Sequence, residues 1–173
     1  LSLLPPDIAI EGFVVGGALY RTRGSQTSVD DLKTMARRLR IDDRVTFIDF
    51  MDDVSAMIRS LDIIVHASTR PEPFGLVIVE AMASGVPVII SDAGGAAEIG
   101  ALDPRLPRHV PGDAKDLAGA VERLCRDPQL RAELGTVERD LACRYFSDET
   151  MARRLSEIYD EAVRRRSARP ASQ

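Results

Sequence analysis

Two glutamates, Glu72 and Glu80, bracket a tight turn and an apolar run within the stretch HASTRPEPFGLVIVEAMASG, residues 66–85. Read as a helix, LVIVEAMAS (76–84) is apolar almost all the way round and is expected to be buried, with Glu80 as its only charge. A lone carboxylate there is costly unless something hydrogen-bonds it, so Glu80 requires a partner. The N–H groups of Phe74, Gly75 and Leu76 fall at the positive end of this helix, a ready seat for a phosphate, and the glycine lets a ligand approach the backbone closely. Two carboxylates around an anion-binding turn suit a ligand that is both phosphate and polyol. Nucleotide sugars are such ligands.

The elements that position these residues follow from local pattern. LDIIVHAS (61–68) reads as a buried strand of β-branched residues that leads into the PEPFG turn, and Gly85 with Pro87 stops the following helix. Upstream, GFVVGG (12–17) reads as a strand ending in a glycine turn, and Ser28 caps a helix that packs through Leu32, Met35, Ala36 and Leu39. RVTFI (44–48) is the next strand, and DDVSAMIRSLD (52–62) a short helix. Downstream come the strand VPVIIS (86–91), the turn DAGGAAEI (92–99) into a helix, and a proline-rich segment over 101–113. Asp113 caps a helix over 113–127, a further helix runs to about Phe146, and a terminal helix occupies about 147–166. At its start Thr150 does not complete a Ser-x-x-Glu box, so capping rests on the Ser147 hydroxyl. Strands alternating with helices predict an α/β protein with a Rossmann-like, doubly wound parallel sheet, whose ligands collect at the carboxyl ends of the strands.

That edge rule brings further residues toward Glu72. Asp49, Phe50 and Met51 follow one strand, and Asp49 reads either as a turn carboxylate or as an acceptor for a nucleobase. His66 ends another strand, and reads either as a satisfied structural histidine or as a ligand-facing one. Gly94 and Gly95 serve a tight turn, close approach of the backbone to a ligand, or both. Glu98 falls near a helix N-terminus and is read as structural, as is His109, which has no partner pattern. Arg21 and Arg23 read as solvated loop charges.

The run EPFGLVIVEAMASGVPVIISDAGGAAE resembles the donor-binding signature of retaining GT-B glycosyltransferases of family 4. These carry Glu, seven residues and Glu in the setting EPFG, then EAMASGVPVI and a Gly-Gly turn. The matching positions here are Glu72, Glu80, Gly85 to Ile89, and Gly94 with Gly95, and the resemblance extends from VVGGAL (14–19) to EIYDEA (157–162). It implies that residues 1–173 are the C-terminal, nucleotide-sugar-binding half of such an enzyme, with a core over about 8–146 and a tail over 167–173. The N-terminal acceptor domain would be missing, together with the first strand of this half and the basic pair that holds the donor diphosphate. The fragment is then expected to be inactive alone. By resemblance Glu72 holds hydroxyls of the transferred sugar as the catalytic-site residue. Glu80 accepts from the ribose hydroxyls, and the Asp49–Met51 turn lies against the base. The proline-rich segment departs from the family pattern, and the terminal helix is expected to pack across to the N-terminal half.

Composition fits this. The chain of 173 residues is long enough for one domain with a core, and a net charge of -4 gives no sign of nucleic-acid binding. No apolar run reaches the ~20 residues of a transmembrane helix. Cys125 and Cys143 are too few for a disulfide framework or a zinc site and are expected to pack as small hydrophobes, which fits a cytoplasmic protein. No P-loop, metal-spaced His/Cys set or Asp-x-Asp is present, so neither a cofactor nor a metal is expected. Arg164, Arg165, Arg166 and Arg169 end the chain as a solvated tail or a contact to an anionic membrane face. The chain begins at Leu1, so a longer parent chain is expected. Two competing functions stay open: a non-catalytic nucleotide-sugar-binding module, and a glycoside hydrolase using Glu72 and Glu80 as acid and nucleophile.

Overall fold

The computed structural model describes residues 1–16 and 27–167. Its elements are β1 (Gly12–Val15), α1 (Val29–Arg38), β2 (Val45–Ile48), α2 (Ser55–Arg59), β3 (Ile64–Val65), α3 (Leu76–Ser84), β4 (Val88–Ser91), α4 (Gly94–Gly100), β5 (Arg108–His109), α5 (Ala114–Arg126), α6 (Pro128–Phe146) and α7 (Asp148–Ser167). Local chemistry sets most boundaries. Ser28 and Asp31 form a reciprocal capping box on α1, and Asp113 and Asp127 accept N–H bonds at the starts of α5 and α6. Gly85, with φ of 74°, terminates α3. The Ser147 hydroxyl accepts from the Thr150 N–H at the start of α7. Strand β5, inside the proline-rich segment, was not legible in the sequence because two residues give no period to read.

All strand pairs are parallel, as the alternation of strands and helices predicts, but the sheet is divided in two. β1 pairs with β2, and β3, β4 and β5 form a second sheet in that order. Between them lies a groove of about 800 Å³, lined by Ile10, Glu11 and Phe13 on one side and by Leu61, Asp62 and Ile63 on the other. Phe13, Val14 and Val15 are consequently exposed hydrophobics on a strand that is paired along only one edge.

Strand β4 is the centre of the molecule. Its side chains alternate between faces, Val88 and Ile90 packing with Ile78, Met82 and Ala96, and Ile89 with Val121, Leu124 and Leu134. Helices cover both faces, so all four residues are buried. Helix α1 is less enclosed than its periodicity predicts. Only Ala36 is buried, while Met35 and Leu39 are exposed hydrophobics, since α1 belongs to the two-stranded side of the divided sheet. Cys125 is half-buried, but Cys143 is exposed, against the expectation that both pack as hydrophobes. Glu98 falls in the second turn of α4 and is exposed, so it does not complement the helix N-terminus. Arg21, Arg23 and Arg169 lie outside the described residues.

Helices α3 and α6 approach backbone to backbone. A Cβ added at Gly135 would lie 2.2 Å from the Gly85 carbonyl oxygen. Alanine is the better helix former by about 1 kcal/mol, so propensity alone predicts that Gly135→Ala stabilises. The contact predicts the reverse, a loss of about 1–3 kcal/mol, with about 2–4 °C of melting temperature for each kcal/mol. A thermal melt of Gly135→Ala at or above wild type would refute this packing.

Candidate functional site

Between β3 and α3 the chain makes the turn that carries Glu72, and α4 and α6 hold it. The backbone of Glu72 bridges to Gly94, and the Gly95 N–H donates to the Glu72 carbonyl at 2.8 Å. Behind that turn the two glycines leave no room. A Cβ at Gly94 would meet Glu72 O at 2.6 Å, and one at Gly95 would meet Pro73 O at 2.2 Å. The tight-turn reading of this pair therefore has direct support, the close approach being to the PEPF backbone. On the far side, Phe74 packs edge-on against Phe146 of α6, with ring centroids 5.7 Å apart.

Helix α3 begins at Gly75, whose φ of 91° favours glycine over any side-chain-bearing residue. Among the described residues, none accepts a hydrogen bond from the N–H groups of Phe74, Gly75, Leu76 or Val77; the first bonded amide is Ile78, to Gly75 O at 3.0 Å. Unsatisfied amides and the helix dipole together make this end attractive to an anion. The helix is not buried all round. Ile78, Ala81 and Met82 are fully enclosed, but Leu76 is 63% exposed and Val77 is also exposed. Glu80 is half-buried, four residues from Leu76 and three from Val77, and so shares their outward face. Glu80 is thus less buried than expected, and the partner it was expected to require is not another described residue, since it accepts no hydrogen bond or ion pair from one. Its carboxylate is free for a ligand.

His66 is 7% exposed and enclosed by polar backbone. Its Nδ1 accepts from the Ser91 N–H at 3.3 Å, and its Nε2 lies against Glu72 Oε1. Oε1 is itself buried and makes no hydrogen bond of regular geometry, so the imidazole is its close polar neighbour. Beneath, His109 Nε2 donates to the His66 carbonyl at 3.0 Å, and the Ser91 hydroxyl donates to Ser68 O at 2.5 Å. His109 is thus structural, as read, but it belongs to the same cluster. Ser91, which sequence reasoning passed over, closes the strand VPVIIS with a polar residue, and that was the only signal available.

The structure therefore assembles His66, Glu72, Phe74, Gly75, Gly94 and Gly95 through contacts at the carboxyl ends of β3 and β4, with Leu76 and Glu80 on the adjoining face of α3. Asp49, Phe50 and Met51 follow β2 in the other sheet, Asp49 and Phe50 being exposed, and no hydrogen bond among the described residues links them to this cluster.

An α/β Rossmann-like domain with a glutamate turn and an open helix start at one sheet edge is the architecture of one half of a GT-B glycosyltransferase. The model of glycosyl transferases group 1 matches residues 9–140, and the chain belongs to that family. It is 36% identical over 165 residues to D-inositol 3-phosphate glycosyltransferase of Corynebacterium kroppenstedtii, covering 92% of this chain and 35% of that protein. Similarity to N-acetyl-alpha-D-glucosaminyl L-malate synthase of Bacillus anthracis is 30% over 130 residues, 75% of this chain and 34% of that one. Anabaena HepE, solved in complex with UDP, superposes with a TM-score of 0.81 at 30% identity, over 92% of this chain and 43% of HepE; its UDP-glucose complex gives 0.81 at 31%. The chain spans about a third of the length of the curated relatives it matches.

Proposed function

We propose that this chain is the donor-binding half of a retaining glycosyltransferase and that it binds a nucleoside diphosphate sugar at the start of α3. The observation that carries this is the row of unbonded N–H groups at Phe74, Gly75, Leu76 and Val77, with Glu72 on one side and the outward-facing Glu80 on the other. The amides meet the diphosphate and stabilise the charge that gathers on it as the glycosidic bond breaks, the electrostatic logic of an oxyanion hole. Glu80 accepts from the ribose hydroxyls and Glu72 from hydroxyls of the sugar, charge-assisted bonds of about 1.5–3 kcal/mol each. The departing phosphate takes the acceptor's proton, so the reaction needs neither a side-chain base nor a metal. That HepE was solved with UDP and with UDP-glucose supports the ligand class.

The groove between β1 and β3 supports the division of labour. Among the described residues the facing strand edges are unpaired, and the groove has room for one further parallel strand. Helix α7 presents Met151, Leu155, Ile158 and Tyr159 as one exposed apolar stripe, which fits packing against the acceptor half. No helix among the described residues is long and apolar enough to cross a membrane. A cytoplasmic location, with peripheral contact to the cytoplasmic face of a membrane, is part of the same proposal.

The test is an NMR titration with UDP, GDP and ADP, beside Glu80→Gln. One nucleotide is expected to bind with Kd of about 1 mM or tighter, about -4 kcal/mol, and the substitution to weaken it roughly tenfold. Absence of binding at ~10 mM, in this chain and in the longer protein alike, would sink the proposal.

A further inference from the structure

Building on that reading, we propose that His66 is a positioning residue for Glu72, donating from Nε2 to the buried Oε1 and so presenting Oε2 to the hydroxyls of the transferred sugar. The argument begins at Ser91. A backbone N–H can only donate, and at 3.3 Å it faces His66 Nδ1, which must therefore carry a lone pair. The ring proton then sits on Nε2, against Glu72 Oε1. Ladder geometry explains why the ring is there. β3 ends at Val65, the His66 N–H still donates to Ile89 O at 2.9 Å, and one step further the imidazole takes the place of the strand carbonyl that Ser91 N–H would otherwise meet.

Glu72 is consequently held by its two ends. Its backbone is fixed by Gly94 and Gly95, and its Oε1 is enclosed by His66 and by Gly75, where a Cβ would come within 3.1 Å. The side chain is still 32% exposed although Oε1 is buried, so its open side is the Oε2 side. A carboxylate with one oxygen anchored and the other presented outward accepts from a sugar hydroxyl in a set direction. Without the anchor it rotates, and the orientation of the transferred sugar is lost while the diphosphate seat on α3 is not directly touched.

Three variants test this: His66→Ala, His66→Gln, whose amide can still donate, and Glu72→Gln. In 15N NMR of the imidazole, His66 is expected to carry a proton on Nε2 and a lone pair on Nδ1, with its Nε2 resonance shifting in Glu72→Gln. This readout needs no ligand. A proton on Nδ1, or no response to Glu72→Gln, would overturn the proposal. In parallel, His66→Ala is expected to weaken UDP-glucose roughly tenfold more than UDP, and His66→Gln to recover most of that difference. Equal losses for both ligands, in variants that keep the wild-type far-UV circular dichroism, would mark His66 as merely structural. If neither ligand binds the wild type, in this chain and in the longer protein alike, the uridine nucleotide is the wrong donor class, and the imidazole spectrum still decides the His66–Glu72 contact.

Discussion

Gly95→Ala is expected to abolish detectable nucleotide binding at ~10 mM while leaving the β4 core folded. Alanine suits a helix better than glycine by about 1 kcal/mol, and Gly95 sits in the first turn of α4, so on local grounds the change is favourable. Tertiary geometry reverses the sign. The added Cβ would stand 2.2 Å from Pro73 O, 2.7 Å from Pro73 C and 2.9 Å from Phe74 Cα, all backbone atoms that no rotamer change can move aside. The PEPF turn must therefore shift, and with it both Glu72 and the amides that open α3. Overpacking of this kind costs about 1–3 kcal/mol, so the fold survives where the site does not. Calorimetric titration of the best nucleotide, with a thermal melt alongside, reads both effects. Wild-type affinity in Gly95→Ala would show that the turn does not depend on this contact and would remove the positional argument for Glu72.

The second large effect concerns a carboxylate far from the site. Glu138 on α6 is fully buried, its Oε2 accepting from the Val88 N–H at 3.0 Å and its Oε1 without a hydrogen-bond partner among the described residues. Burial pushes its carboxyl up from 4.5 to about 8, only partly opposed by the Val88 N–H. A group whose folded pKa is raised holds a proton in the folded state that the unfolded chain releases. The stability it contributes is complete below pH 4.5 and is lost as pH rises toward about 8. The limiting slope in that window is about 1.4 kcal/mol per pH unit, a loss of a few kcal/mol by its upper end. Glu138→Gln keeps an acceptor for Val88 N–H and cannot ionise. Its stability is expected to be flat where that of the wild type declines, and higher at pH 8. Urea denaturation at pH 5, 6.5 and 8 measures this; parallel profiles for the two proteins would mean that Glu138 has the same pKa in the folded and unfolded chain.

These two cases show where sequence reading reaches and where it stops. Helix α3 was legible to the residue because its limits are local. Gly75 and Gly85 take the positive φ that favours glycine, and the apolar run lies between them. The caps at Ser28 and Asp113 were legible for the same reason, since a side chain meets an amide within three residues. The pairing of Glu72 with Glu80 around an open helix start, and the GT-B family with it, also came from one contiguous stretch.

Orientation and burial were different. That Glu80 faces outward, that His66 turns onto Glu72, and that Gly95 lies against Pro73 were decided by packing between distant segments. The Ser91 amide that fixes His66 is 25 residues away in sequence, and the Val88 amide that meets Glu138 is 50 away. No local pattern marks Glu138, because a glutamate in an amphipathic helix reads as a solvated charge until the opposing strand is in place. Sequence by itself thus determined the elements, their ends and the chemistry of the turn, through backbone preferences that act within a few residues. The tertiary structure alone decided which carboxylate is held, which is free and which is forced to keep its proton, because each depends on what the fold brings against it.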